Sequence, residues 1–291
     1  MMCRQSGQIL VVVFWMLGIV SLTVGAVVMR SGHEARLSRI PLEAIQREAI
    51  AQAAVQHAIA LIQRDEDAAV DHLGESWSTG EEADVQVLAD IPVGNGMFRV
   101  GVPREDGGFA AGLIDEGRKL HLNTSAADVL KRLIEAVNIA GVNAQEIADA
   151  IINWCTPNDP ETGICLGRQP PCHNGPLSSV DELRLVPGMT PELFDALAPY
   201  VTVYPLGGAA VNINTAPAIV LDALECAGAQ LVAQRQVNDP PIPSGSCGGT
   251  TSMSEAFTVP VEAWLTTSSL RTRLHAVIDR DGNILSWLPQ S

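Results

Sequence analysis

Met1 to Arg30 read MMCRQSGQILVVVFWMLGIVSLTVGAVVMR. One base, Arg4, precedes an uncharged apolar run from Ile9 to Met29, and Arg30 closes it. A helix crosses a bilayer with about 20 apolar residues, and this run supplies them. A secretory signal has a shorter apolar core and a small-residue cut on its C-terminal side. No such cut follows Met29. The plausible one lies on the near side, after Gly7, and it would leave the hydrophobic helix on the protein. The positive-inside tendency puts the leader in the cytoplasm and exports the rest.

The exported remainder is about 260 residues long, enough for one large domain or two small ones. Its surface is acidic. The chain carries 33 acids against 18 bases, a net charge of −15. That balance argues against a nucleic-acid surface, because such affinity comes mostly from Lys and Arg against phosphate. It suits a water-exposed face or a divalent-cation site. Nothing in the pattern points to an enzyme. The six histidines lack metal or triad spacing. Asp115-Glu116 has no nucleophile beside it and reads as a sheet-edge or turn element. Trp154, Trp264 and Trp287 read as packing residues.

Cys155, Cys165, Cys172, Cys226 and Cys247 follow the leader, all in loop-like surroundings. Export permits disulfides among them. Cys226 with Cys247 is the favoured pair, since it ties off the Pro/Gly-rich loop between them. A second pair is expected among Cys155, Cys165 and Cys172. Free thiols are the plain alternative, and no paired C-x₂-C knuckle supports zinc.

Past Arg30 a helix continues to Arg64, with Ile45, Ala49, Ala53, Val55, Ile59 and Ile62 on one face and a kink expected near Arg39 to Pro41. Residues 65–82 read as loop. Strands are predicted at Val85–Leu88, Met97–Val102 and Phe109–Ile114, with turns at Gly94-Asn95-Gly96 and Asp106-Gly107-Gly108. The period then becomes helical. Thr124 or Ser125 is expected to cap a helix to Val137, Asn143 another to Trp154, and Thr215 one from Pro217 to Ala227. Short helices are expected at Ser179–Leu185 and Pro191–Ala198, and a loop at 238–252. Strands return at Phe257–Val259, Leu274–Ile278 and Ile284–Trp287. Strands on both sides of a helical block predict an α+β fold, with one antiparallel sheet packed on the N-terminal helix and a helical insertion.

Several stretches resemble one family in order. They are Ile114-Asp115-Glu116-Gly117-Arg118-Lys119-Leu120-His121-Leu122-Asn123, Ala148-Asp149-Ala150-Ile151-Ile152-Asn153-Trp154, Asn174 to Leu183, Val186-Pro187-Gly188-Met189-Thr190, and Val211-Asn212-Ile213-Asn214-Thr215-Ala216-Pro217. With the leader, they resemble the general secretion pathway protein K family, the large minor pseudopilins of type II secretion. The resemblance implies a pilin-like fold in five parts: leader 1–7, transmembrane part 8–29, pilin-like body 30–122, inserted helical domain 123–252, and closing strands 253–291. It implies cleavage by prepilin peptidase between Gly7 and Gln8 and N-methylation at Gln8. It implies a single-pass inner-membrane protein with its bulk in the periplasm. The implied partners are minor pseudopilins of the I, J and H types, the major pseudopilin, the inner-membrane assembly platform and secreted substrates.

Val12 occupies the fifth mature position, where pilin-like subunits usually carry Glu. A carboxylate in hydrocarbon is costly unless neutralised, and in the family it pairs with a neighbour's N-terminus. Val12 cannot, which implies a subunit at the pseudopilus tip that helps initiate assembly. The family also implies calcium in the loop after Trp154, with Asp159 and Glu161 as ligands. Cys155, Thr156, Pro157 and Cys165 interrupt its usual acidic run. The competing reading is a membrane-anchored DNA-uptake protein. It rests on the turn Leu185–Met189 and on Val211–Leu221, which resemble helix-hairpin-helix units. Thr190, Pro191 and Glu192 follow where bases would be needed.

Overall fold

The computed structural model describes residues 6–65, 67–78, 87–104, 107–156, 175–237 and 241–290, without the side chains of 6–9 and 27–40. In chain order the elements are α1 (Ser6–Ile62), β1 (Ile91–Val93), β2 (Gly96–Pro103), β3 (Phe109–Ala111), β4 (Ile114–Asp115), β5 (Leu120–His121), α2 (Ala127–Val137), α3 (Ala144–Cys155), α4 (Pro191–Leu197), β6 (Val201–Thr202), β7 (Val211–Asn212), α5 (Ala218–Ala223), α6 (Gly228–Val237), β8 (Thr250–Thr251), β9 (Ala256–Leu265), β10 (Arg271–Asp279) and β11 (Ile284–Gln290). Short 3-10 helices occupy Glu116–Arg118, Val180–Leu185 and Ala198–Tyr200. The chain forms two compact units, Met1–Ala49 and Ile50–Ser291. α1 continues through Pro41, whose missing N–H removes one bond without ending the helix.

The second unit is α+β, as expected. Its main sheet runs β1-β2-β9-β10-β11, with β3 on β2 and β4 on β9, all antiparallel. Residues separated by more than 150 positions therefore pair directly, as Arg99 with Glu262. Alternation puts Phe257, Val259, Val261, Ala263 and Leu265 on one face. Against it lie Ile50, Ala51, Ala54, Val55, Ala58, Ile59 and Ile62, spaced as one helical stripe. Three alanines let the helix approach closely. This stripe differs from the predicted one: Ile45 is exposed, Ala49 is exposed and Ala53 is only half-buried. The buried face is displaced there: Ile50, Ala51, Ala54 and Ala58 face the sheet in place of Ile45, Ala49 and Ala53.

A second core lies in the same unit. Leu130, Leu133 and Ile134 of α2 pack with Ile147, Ala148, Ile151 and Trp154 of α3, and with Leu193, Val220 and Leu221. Two parallel strand pairs, β5 with β6 and β7 with β8, border it. Cys226 belongs to this core and is bonded to Cys247, with Cα atoms 5.7 Å apart. The bridge closes 21 positions of chain. Replacing both cysteines with serine should cost about 3 kcal/mol by loop-closure entropy. The check is the urea midpoint of the double variant against the parent.

Several local expectations change. The strand predicted at Val85–Leu88 is instead Ile91–Val93, and among the described residues Val87 and Leu88 are not strand. Tight turning at Gly94-Asn95 pairs Val93 with Gly96, so the residues nearest the turn form the strand. The predicted strand Phe109–Ile114 divides around Gly112, whose φ is +137°, and its halves pair with different neighbours. β9 is longer than Phe257–Val259 and contains Pro260. β2 pairs with β9 as far as Val261 and β4 begins at Thr258, so Pro260 meets a gap in that ladder. α2 starts after Ala126, because the Ser125 hydroxyl donates to the His121 carbonyl instead of capping. Asn143 and Thr190 cap α3 and α4 as a capping side chain should. α5 stops at Ala223, and α6 is an element that the sequence reading missed.

Candidate functional site

Two features stand out: an apolar helix surface and a buried polar hub. The described side chains of the first run from 10 to 26, and every one is exposed. Leu10, Phe14 and Trp15 are 76%, 78% and 68% exposed, and Val12 is 56% exposed. No ionisable residue interrupts them. The Thr23 hydroxyl donates to the Val20 carbonyl at 2.9 Å, so it needs no external partner. An exposed apolar surface of this extent marks an interaction site. Among the described residues no helix is long and apolar enough to cross a membrane. Of the seventeen positions from 10 to 26, thirteen carry apolar side chains, and the other four are Gly18, Ser21, Thr23 and Gly25. Gly7 and Gln8 fall in the first turn of α1, with side chains outside the description.

The hub is built on Asp115 and Glu116, which the sequence reading took for a turn or sheet edge. They do form a turn, but both are buried, at 2% and 3% exposure. Asp115 caps the 3-10 helix Glu116–Arg118, its Oδ1 accepting from the Gly117 amide at 2.6 Å. A Cβ at Gly117 would stand 2.9 Å from that same oxygen, so only glycine fits. Oδ2 accepts from the hydroxyls of Ser254, at 2.7 Å, and Thr215. Thr215 is therefore spent on Asp115 and leaves α5 without a side-chain cap, correcting the predicted role. Asn212 donates to Ser254 Oγ at 2.7 Å and to the Asp71 carbonyl at 3.1 Å. Asp71 accepts from the Ser254 amide at 2.6 Å and pairs with Arg280, which also reaches Asp65 at 3.1 Å. Glu116 accepts from Lys119 at 2.6 Å, Thr258 at 2.7 Å and Thr202 at 2.5 Å.

The two neighbouring acids are electrostatically opposite. Burial pushes Asp115 up to about 6, against bonds from Thr215, Ser254 and Gly117 that favour its charge. Burial would also raise Glu116, but the Lys119 ammonium, with Thr202 and Thr258, holds it below the ordinary range. A raised acid binds a proton in the folded chain that the unfolded chain has already lost. Stability contributed by Asp115 therefore falls as pH rises from 3.8, its ordinary value, to about 6. The span corresponds to about 3 kcal/mol. Asp115→Asn should remove this slope, since the hydroxyls of Thr215 and Ser254 can turn to accept. Urea unfolding of parent and variant at several pH values between 4 and 7 checks it: the variant should gain relative stability toward neutral pH.

Two asparagines in the family-like blocks act as backbone substitutes. Asn123 donates to the Leu177 carbonyl and accepts from its amide, at 2.9 and 2.8 Å. Asn214 does the same to Ile242, at 3.0 and 2.8 Å. Each fixes a loop whose own backbone groups would otherwise be unpaired.

Of the other predicted site residues, Asp159, Glu161, Cys165 and Cys172 lie outside the described residues. Cys155 is free and half-buried, its thiol pushed up to about 11 by burial, which corrects its place among the bridge candidates. Its described counterparts, Cys226 and Cys247, take each other. Asp65, Asp71 and Glu75 gather within 4.8 Å, a grouping not foreseen. Arg280 pairs with the first two, and Glu75 accepts from the His72 amide and the Trp77 indole. These acids are satisfied by protein donors. The hairpin-like turn at Gly188 is followed by α4, where the Leu193 amide donates to Thr190 Oγ1 and the first turn carries Glu192. A phosphate there would meet an acid, not a base.

Comparison with known proteins agrees with these blocks. Residues 112–206 match the family model for type II secretion system (T2SS), protein K. Type II secretion system protein K of Klebsiella pneumoniae is 27% identical over 254 residues, which is 80% of this chain and 74% of that protein. Among solved structures, a chain in the crystal structure of the GspK-GspI-GspJ complex from enterotoxigenic Escherichia coli shares the fold with a TM-score of 0.63 at 19% identity. The match covers 89% of this chain and 99% of that one.

Proposed function

Since the chain belongs to the type II secretion system protein K family and serves that system as a minor pseudopilin, we propose that it sits at the pseudopilus tip and helps initiate assembly. The observation that carries this is Val12 within an uncharged, exposed and mostly apolar helix surface. A repeating subunit needs an acid near that depth to pair with a neighbour's terminal amine, and this surface offers none. Such a helix can still pack on other helices through apolar contact, which in a bilayer supplies the association. The chain would then join a filament end without accepting a further subunit through that pair.

In this reading residues 8–29 span the inner membrane after cleavage between Gly7 and Gln8, and residues 123–252 form an insertion on a pilin-like body. The helical core supplies bulk that obstructs another subunit above it. The proposed partners are the I, J and H types of minor pseudopilin, the major pseudopilin and the assembly platform. The related chain named above was solved together with GspI and GspJ. Calcium at Asp159 and Glu161 stays part of the proposal.

One co-expression with prepilin peptidase and the other pseudopilins tests it. Intact mass should place the mature terminus at Gln8. Gold labelling of overproduced pseudopili should mark one end. A chain that retains Met1 or is cut beyond Met29 removes the pilin-type processing, and label along the filament removes the tip.

A further inference from the structure

We infer that the solvent face of the sheet around Glu262 is a docking surface for a carboxylate-bearing face of another pseudopilin. The inference rests on the minor-pseudopilin reading and adds the surface and its chemistry. Register places Arg99, Glu262 and Arg273 in one row across β2, β9 and β10. The next row places Trp264 beside Arg271. One carboxylate thus stands among three guanidiniums. Arg99 Nε and Nη2 approach Oε2 at 2.7 and 2.5 Å, and Arg271 Nη1 approaches the same oxygen at 3.0 Å. Arg273 Nε and Nη2 approach Oε1, both at 3.0 Å.

Holding Glu262 needs one of these arginines. Arg99 alone makes two contacts to it, and it is the least exposed of the three. The other two add like charge at close range, which costs energy unless an anion arrives. Three cations against one anion leave two positive charges on a chain whose net charge is −15. Two of the guanidiniums are also held in place by aromatic rings. Arg271 lies 4.4 Å from the Trp264 ring centroid and Arg99 lies 4.2 Å from that of Phe109. Stacking of this kind pre-orders the planar donors. The Arg271 and Arg273 side chains remain 41% and 63% exposed. A flat, fixed, positive face with free N–H donors matches carboxylates two at a time. On an acidic molecule it also orients encounter, since charge complementarity acts on association rate and register.

The test uses the full chain co-expressed with the I-, J- and H-type pseudopilins of the same organism. Recovery of the partners on the tagged chain is measured against salt and for Arg271→Gln combined with Arg273→Gln. Arg99 stays on Glu262, so the sheet keeps its buried pair, and a thermal melt verifies the fold. The inference expects about ten-fold less partner recovered with the variant and a matching loss for the parent at high salt. The salt arm stands even if the variant fails to fold. Recovery that is independent of salt and unchanged by the variant overturns the surface while leaving the pseudopilin reading intact. No recovery with the parent overturns that reading and this surface with it. A variant that keeps its partners but loses preference for anionic over zwitterionic nanodiscs assigns the face to lipid and overturns the inference.

Discussion

Glu116→Ala should destabilise the chain by about 3–5 kcal/mol, because it leaves a buried cation without its partner. Lys119 approaches Glu116 at 2.6 Å, and its side chain is only 17% exposed. Truncation strands that ammonium together with the hydroxyls of Thr202 and Thr258. Thr202 belongs to β6 of the helical core's border and Thr258 to the main sheet, so the loss falls where the two cores meet. Glu116→Gln should cost less, since the amide oxygen still accepts from one hydroxyl. The depressed carboxyl also fixes the sign with pH. Its contribution is present above the ordinary carboxylate value, 4.5, and disappears as pH falls below it. Urea unfolding at pH 7 measures the first effect. Equal midpoints for Glu116→Ala and parent would show that Lys119 finds solvent at no cost.

Phe257→Ala should cost about 3–5 kcal/mol by a different route, the cavity left in a packed core. Phe257 is fully buried in β9. Its ring meets Trp77 edge-on at 4.9 Å, and Arg280 lies 5.6 Å from its centroid. Register pairs it with Asp115 on one side and Ile278 on the other. The ring therefore lies beneath the hub, and its removal should loosen Arg280 from Asp71 as well as expose Trp77. Tryptophan emission should shift to the red at lower urea than in the parent. Leu288→Ala on the exposed edge strand β11 is the control, with an expected change within about 0.5 kcal/mol.

The positions that misled have a common character. Ser125 and Thr215 carry the side chains that cap helices, and both spend their hydroxyls elsewhere. A cap is local, but a buried acid competes for the same hydroxyl, and the sequence does not show that the acid is near. Asp115-Glu116 looked like an acidic turn because no nucleophile or convergent histidine lies beside it along the chain. Asp115 meets Thr215 across 100 positions and Ser254 across 139. Ala51, Ala54 and Ala58 carry too little hydrophobic contrast to reveal the buried stripe of α1, although they set how closely the helix meets the sheet. The basic face was equally hidden, because Arg99 lies 163 positions from Glu262.

By itself the sequence determined what depends on neighbours along the chain. The apolar run that begins at Ile9, the acidic balance, the helix capped by Asn143, the helix that Pro191 opens, and the strand–helix–strand order are all written in local period and composition. The Cys226–Cys247 bridge was favoured on the same footing, from the loop that it closes. Only the tertiary structure decided which polar groups are buried together. Burial and pairing are properties of the assembled fold: the same carboxylate is an ordinary surface acid, a raised one like Asp115, or a lowered one like Glu116, according to what strands from distant parts of the chain bring to it.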